Sequence, residues 1–444
     1  DIDIWLPFKK RGLHYMHINI NSLLPKIDEI RNIALKTKAA VIGISESKLD
    51  YSVNDSEINI SGYNVLRYDR NRSGGGVACY IREDLCFNIQ ESSFSREIET
   101  VFFDLLLPKL KPISIGVFYR PPTQNSFFDT KAKDLNKLLN EENEIYLLGD
   151  FNVNLLCGTK YILKEKNIGA RYNVAGTLIS KYKEFCQTFA FTQLIKNPTR
   201  VACNTSSLLD HIITNSECKI SNSGIIETGL SDHQLIYCTR KIKRERHNYH
   251  KQVELRIFKN YTVEGFINAL SAIPFPNYSL FDNVDTAYTD FLEKFSRVIN
   301  EIAPFKNTRI KHNSQEWFDG EIAEKIRVRN KLFQKFKRSK SNIDETLYKN
   351  AKTHAHNMIK NKKKCFYENK LKDSVGKPKE LWKTLKSLGL PNSGSSSTKF
   401  CLKKDDVLFF DDKSISTVSE DFFSNLAENL VSILLSPSNR SGIS

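Results

Sequence analysis

Residues 145–154 read IYLLGDFNVN, a short apolar run that stops on an aspartate followed within two residues by an asparagine. A run this short and this rich in aliphatic and aromatic side chains predicts a buried strand, Ile145–Gly149, with Asp150 at its carboxyl end. The same pattern recurs outward in both directions. Strands are expected at Tyr15–Ile20, Ala40–Ser45, Tyr63–Arg67, Gly76–Ile81, Glu99–Leu107, Ile113–Tyr119, His211–Thr214 and Leu235–Thr239. Helices are expected at Leu24–Leu35, Phe127–Leu139 and Ala175–Phe189. Many strands with helices between them predict an α/β fold in which two sheets are flanked by helices.

Polar clusters stand at the carboxyl ends or turns of these strands, where sites in α/β folds usually form. They are HININSL (17–23), ISESKL (44–49), VFYRPP (117–122), LLGDFNVN (147–154), and the pair SSLLDHIITN (206–215) and GLSDHQLIY (229–237). Alone, each reads as a turn or a cap, and a lone Glu46 reads as a solvated strand end. Together, Asn19, Glu46, Asp150, Asn152, Asp210, Asp232 and His233 supply hard oxygen donors and one imidazole, with no Cys/His set. Such donors suit Mg2+ rather than Zn2+. Phosphodiester hydrolysis needs a cation against phosphate charge, a base for water and donors for the developing oxyanion, and this inventory contains all three.

In this order the clusters resemble the endonuclease/exonuclease/phosphatase superfamily. Their wording is similar to the apurinic-like endonuclease domain of non-LTR retrotransposons of the jockey and chicken-repeat kind. The resemblance covers residues 12–240. It implies a DNase I-like four-layered α/β sandwich. Glu46 would then hold Mg2+, with Mn2+ able to substitute, and Asn19 would stand beside it. Asp150 would align or deprotonate the attacking water, and Asn152 and Tyr119 would contact the scissile phosphate. His233 would stabilise the oxyanion, with Asp210 fixing its tautomer, and Asp232 would assist at the metal or the leaving group. Arg120, Ser207 and Ser231 are secondary candidates, and Arg200 lies where relatives project a hairpin into DNA. Double-stranded DNA is the implied partner.

Other features read structurally. His211 follows Asp210 on a strand, points the other way and is expected to pack. The run Ser73–Gly76 is followed by no GK[ST] and leads into a strand, so it reads as a turn rather than a phosphate loop.

Charge divides the chain. Its 66 Lys and Arg against 51 Asp and Glu give +15; residues 1–240 hold 29 and 27 of these, net +2, which leaves 37 and 24, net +13, for residues 241–444. That half reads as a linker with short helices (241–312), a basic helical connector (313–390), and a Ser-rich linker with a terminal helix (391–444). Apolar stripes predict helices carrying Phe318, Ile322, Ile326, Phe333 and Phe336, then Tyr348, Ala351, Ala355, Met358 and Phe366, then Leu381, Trp382, Leu385 and Leu388. The wording EIAPFKNTRI (301–310), EWFDGEIAEKIRVRNKLFQKFKRSKS (316–341), CFYENKL (365–371), ELWKTLKSL (380–388) and ISTVSEDFFSNLAE (415–428) resembles the connector that precedes the reverse transcriptase in those elements. Phe409–Asp412 mimics a polymerase motif, but no palm precedes it, so the chain is expected to stop short of any reverse transcriptase. The localised charge makes the connector the expected contact for the element's RNA or target DNA. On that reading, residues 241–444 serve affinity more than chemistry.

A mean hydropathy of -0.40 and the lack of a long apolar run argue against a membrane protein. With no signal-peptide profile at the amino terminus, an intracellular and, given the DNA substrate, nuclear location is expected. The nine cysteines form no CxxC pair and read as free thiols. Competing readings are a repair nuclease acting at abasic sites, a phosphatase on the same fold, and a catalytically idle nucleic-acid-binding remnant.

Overall fold

The computed structural model describes residues 4–90, 99–124, 127–129, 143–156, 169–202, 205–242, 252–259, 261–281, 283–309, 315–387, 401–404, 407–411 and 413–423. It divides into two units, residues 1–243 with 314–444, and residues 244–313. In the first unit the strands up to residue 240 are β1 (Leu13–Asn19), β2 (Val41–Ser45), β3 (Tyr63–Tyr68), β4 (Val77–Arg82), β5 (Cys86–Ile89), β6 (Glu99–Leu106), β7 (Ile113–Tyr119), β8 (Glu144–Asp150), β9 (Thr192–Gln193), β10 (Arg200–Val201), β11 (Ser206–Ser207), β12 (Asp210–Thr214), β13 (Ile220–Ile226) and β14 (Leu235–Arg240). They form two six-stranded mixed sheets, ordered β13-β14-β1-β2-β4-β3 and β5-β6-β7-β8-β12-β9, and a small hairpin, β10-β11. This is the DNase I-like α/β sandwich.

Register explains where the polar strand ends meet. β1 and β2 run parallel with Asn19 opposite Ser45, and β7 and β8 run parallel with Tyr119 opposite Asp150. β12 runs antiparallel to β8, so its first residue, Asp210, stands opposite Asp150. β14 is antiparallel to β1, which puts the loop before it at the same edge. Between the sheets lie Tyr15, Val41, Val117, Tyr146, Leu148, Ile212 and Ile236, all at most 1% exposed. Each such side chain contributes about 1.5–3 kcal/mol by leaving water. A Cβ on Gly43 would come within 2.9 Å of Val117, so this β2 position must be small for the sheets to close.

Helix α1 (Ile27–Thr37) covers one outer face, entered through a 3-10 turn at Leu24–Lys26 that has Pro25 at its second position. Helix α2 (Gly169–Thr188) covers the other, where Tyr182 and Phe185 join Phe118, Phe127, Phe128 and Phe151 in an aromatic layer. His211 packs there as expected, stacked on Phe151 at 5.3 Å and bonded to the Leu208 carbonyl at 3.2 Å. The expected helix Phe127–Leu139 lies outside the described residues after 129, as does much of the terminal helix beyond 423. The strand β13 was not legible because Ser, Asn and Gly interrupt the isoleucines of ISNSGII, which an edge strand tolerates.

Burial pushes His211 down from 6.5 to about 4. The folded protein therefore holds it neutral, and unfolding below pH 6.5 takes up a proton. Its contribution to stability is complete above the unfolded value and is lost as pH falls toward the folded one. Urea midpoints at neutral pH and at about pH 5 should therefore differ less in His211→Phe, which keeps the stack, than in wild type. An equal pH dependence in the two proteins would refute that assignment.

The second unit pairs β15 (Gln252–Arg256) with β16 (Phe305–Arg309) and contains α3 (Val263–Ser271) and α4 (Val284–Ile302), capped by Thr262 and Asn283. In the first unit, α5 (Gly320–Ser339) and α6 (Asn342–Asp373) form a hairpin that turns at Lys340, followed by α7 (Pro378–Ser387). Ile322, Phe333, Phe336, Tyr348 and Ala355 of the expected stripes are buried. Trp382 is not: it is 60% exposed, because Leu381 and Leu385 share a face four residues apart and the tryptophan turns away from it. Among the described residues no helix is long and apolar enough to cross a membrane. The described cysteines are free thiols.

Candidate active site

The two sheets bring their polar strand ends to one edge. The Asn19 amide donates to Glu46 Oε1 at 2.8 Å and to Asp150 Oδ2 at 2.9 Å, so one nitrogen stands between two carboxylates from different sheets. Glu46 has φ +49°, a left-handed backbone that a residue with a Cβ adopts only when its surroundings fix it. They do. Ser22 N–H donates to the Glu46 carbonyl at 2.9 Å, and the next two amides, of Ser47 and Lys48, donate to the carbonyls of Gly76 and Gly75. Those glycines have φ +84° and +68° and enter β4, so the run Ser73–Gly76 is the turn expected, put to use as a brace. Among the described residues, five of nine non-glycines with positive φ are Asn21, Ser22, Glu46, Lys48 and Asn152. Strain concentrated in this way marks a site rather than a scaffold.

Facing this group is a buried pair. His233 Nδ1 lies 2.7 Å from Asp210 Oδ2. Burial alone would push His233 down, but Asp210, Asp150 and Asp232 around it prevail and lift it to about 9, so it is an imidazolium at neutral pH. Burial pushes Asp210 up, and the His233 charge outweighs it, leaving the carboxyl below its ordinary value. Asp150 goes the other way: burial and the Asp210 charge raise it, against the Asn19 and Asn152 hydrogen bonds. Asp150, Asp210 and His233 each place one ligand-type atom within 4.8 Å of the others.

The remaining expected residues divide. Tyr119 is buried beside Asp150, with its hydroxyl pushed up by burial and by the charges of Glu46 and Asp150. Asn152 donates its side-chain amide to the Arg120 carbonyl at 2.8 Å, and its own N–H to Asp150 Oδ1 at 3.0 Å. Asp232 meets Arg200, at 2.9 Å, and its other oxygen accepts from Ser231 at 3.2 Å. Ser207 pairs with Arg200 across the β10-β11 hairpin.

Arg120 corrects an expectation. It does not face nucleic acid: it is fully buried, and its guanidinium donates to the carbonyls of Phe151, Pro121, Gln124 and Asn152 at 2.6–3.1 Å. It ties the loop after β7 to the loop after β8. Arg120→Met should therefore cost about 3 kcal/mol in a urea titration, from four stranded acceptors. The salt dependence of DNA binding should not change, whereas a phosphate contact would lower its slope.

Residues 16–233 match the model of the endonuclease/exonuclease/phosphatase family. That stretch, 218 of the chain's 444 residues, is similar to the members of that family. Its members are hydrolases, mostly nucleases, and are generally dependent on divalent metals. The chain is similar to solved structures described as the endonuclease domain of TRAS1, a telomere-specific non-LTR retrotransposon (14% identity, TM-score 0.39), an AP endonuclease from Archaeoglobus fulgidus (15%, 0.41), and a 3'-5' exonuclease, NExo, from Neisseria meningitidis (13%, 0.40). Each of these likenesses covers 52% of this chain and 100% of the other. No curated protein matches.

Within this endonuclease/exonuclease/phosphatase unit, the donors fit a hard divalent cation. Glu46 and Asp150 are carboxylates held around one carboxamide, and Asp210 Oδ1 is buried without a hydrogen-bond partner. Glu46 and Asn19 would hold the ion. His233 is committed to Asp210 and carries a proton, which removes it from the ligand set.

Sequence reading missed His17 and Thr199. His17 is buried, bonded to Ser45 Oγ at 3.1 Å, and its Nδ1 lies 3.8 Å from Asp210 Oδ1; burial pushes it down to about 4, so it backs the pair as a neutral ring. The signal was available, since His17 and Asn19 share a strand face by period two. The Thr199 hydroxyl oxygen accepts from the amides of Leu209 and Asp210 at 3.1 Å, which sets the start of β12. Nothing in the sequence marked it.

Proposed function

We propose that residues 12–240 form a Mg2+-dependent endonuclease that nicks one strand of duplex DNA and leaves a 3′-hydroxyl, the target-nicking step of a non-LTR retrotransposon. The observation that carries this reading is the Asn19 amide set between Glu46 and Asp150, opposite the Asp210–His233 pair. A Mg2+ held by Glu46 and Asn19 would supply charge neutralisation at the scissile phosphate. The protein's own groups do the rest. Asp150, raised by burial, accepts a proton from water as its oxygen bonds to phosphorus. The P–O3′ bond breaks, the 3′ oxygen takes a proton from solvent water, and Asp150 returns its proton to solvent. His233, with Nδ1 engaged by Asp210, has Nε2 left to donate to the developing oxyanion. Asn152 keeps a second amide N–H for the phosphate, and Tyr119 adds its hydroxyl. Arg200 and Ser207, on the β10-β11 hairpin, are the proposed DNA contacts, and Asp232 assists at the metal or leaving group once Arg200 turns to phosphate.

The connector wording in residues 301–428 supports the retrotransposon assignment over abasic-site repair, with residues 313–390 as the connector, the element's RNA as a further partner and the nucleus as the working compartment. Conversion of supercoiled plasmid to open circles tests the activity. Wild type should nick with Mg2+ and stop with chelator, while Asp150→Ala should not nick measurably. Wild type no faster than Asp150→Ala would end the enzyme reading, and a large preference for abasic over intact duplex would favour repair.

A further inference from the structure

The connection between β13 and β14, residues 227–234, carries Asp232 and His233 into the site. Its first residues are held by the helical hairpin α5–α6, which comes a hundred residues later in the chain. Arg329, 2% exposed, donates to both oxygens of Glu29 on α1 at 2.8 and 2.9 Å, and to the Thr228 carbonyl at 2.9 Å. The Tyr348 hydroxyl donates to the Gly229 carbonyl at 2.9 Å. Lys337 pairs with Glu227 at 2.5 Å. Gly229 has φ +59°, and a Cβ there would lie 3.3–3.4 Å from Phe333, Asn330 and Tyr348. Aromatic packing keeps the hairpin rigid at this point, with Phe333 and Tyr348 centroids 4.9 Å apart. Gly229 is four residues from His233, so a shift of the hairpin has little chain in which to dissipate.

We propose that the α5–α6 hairpin is a working part of the nuclease site, in which Arg329 and Tyr348 are positioning residues that fix residues 227–230 and thereby set His233 against its substrate. The inference rests on the nuclease reading above. It also reassigns charge. Arg329, Lys337 and Lys363 are spent on Glu29, Glu227 and Asp28 of the nuclease. These three charges therefore serve chemistry through docking, against the expectation that residues 241–444 serve affinity more than chemistry.

Tyr348→Phe in the full chain keeps the ring and removes only the bond to Gly229. Under Mg2+-dependent plasmid nicking its kcat should fall on the order of tenfold, and that of Arg329→Ala up to a hundredfold, as displaced catalytic groups do, with KM for DNA unchanged. Thr353→Ala should behave as wild type, since the exposed Thr353 hydroxyl donates to a carbonyl of its own helix, that of Lys349. An unchanged kcat with raised KM, or no change in either, overturns the proposal. Should Arg329→Ala fail to fold, Tyr348→Phe decides alone. Hydrogen exchange of amides 228–234 reads the same contact without activity: it should quicken about tenfold in Tyr348→Phe and not in Thr353→Ala. If wild type does not nick, the nuclease reading fails and exchange alone judges the docking. Unaltered exchange overturns the inference, as does faster exchange with unaltered kcat.

Discussion

Asp210→Asn should lower the single-turnover nicking rate on the order of a thousandfold while leaving DNA affinity within about twofold. The carboxylate does two opposed things. Its charge raises Asp150, so removing it makes the base easier to ionise. It also holds the proton on His233, which burial would otherwise strip. The second effect wins on magnitude, because a lost oxyanion donor costs about 2.7–4 kcal/mol in the transition state, more than relief of repulsion at a neighbouring carboxylate returns. Asparagine matches aspartate in shape, so β12 should keep its register with β8 and the DNA face should be undisturbed. Burst kinetics on nicked-circle formation with a parallel binding titration would check both parts. A variant that loses binding and keeps its rate would place the pair outside the chemistry.

Glu46→Gln should be more severe in one respect: it should remove the response to Mg2+ as well as the rate. The glutamate brings negative charge to a point where the Asn19 amide already donates. A glutamine there offers the same reach with half its donors wrong, and no charge to hold a hard cation. The expected loss is on the order of a thousandfold at ordinary Mg2+, set by several kcal/mol of charge stabilisation. Part of it should return as Mg2+ is raised. Isothermal titration with Mg2+ alone gives a second reading, free of turnover, and should show heat in wild type and little in the variant. Equal Mg2+ binding in both would move the metal away from Glu46.

The strand ends gathered at the candidate site were legible because each is a local pattern: an apolar run with a polar residue at one end. Asn19, Glu46, Asp150, Asp210 and His233 come together from five such segments. Arg120 was misread because sequence shows a charge next to the site but not where its guanidinium turns, and four carbonyls inside the fold claim it. Asp232 was read as assisting at the metal or the leaving group, and its ion pair with Arg200 depends on a hairpin of two-residue strands that no periodicity reveals. The Lys/Arg excess of the connector was legible as a quantity. Its use was not, because Arg329 and Glu29 are 300 positions apart and nothing local links them.

The order of segments along the chain has a consequence for synthesis. Every residue from Asn19 to His233 leaves the ribosome before Arg329 and Tyr348 exist. At about 5–20 residues per second that interval lasts from several seconds to about twenty. If the hairpin is needed to hold residues 227–230, the nascent nuclease is blunt during that time and sharpens only when α6 arrives. Chains arrested on the ribosome short of Tyr348 should then leave plasmid intact, while completed and released chains cut it.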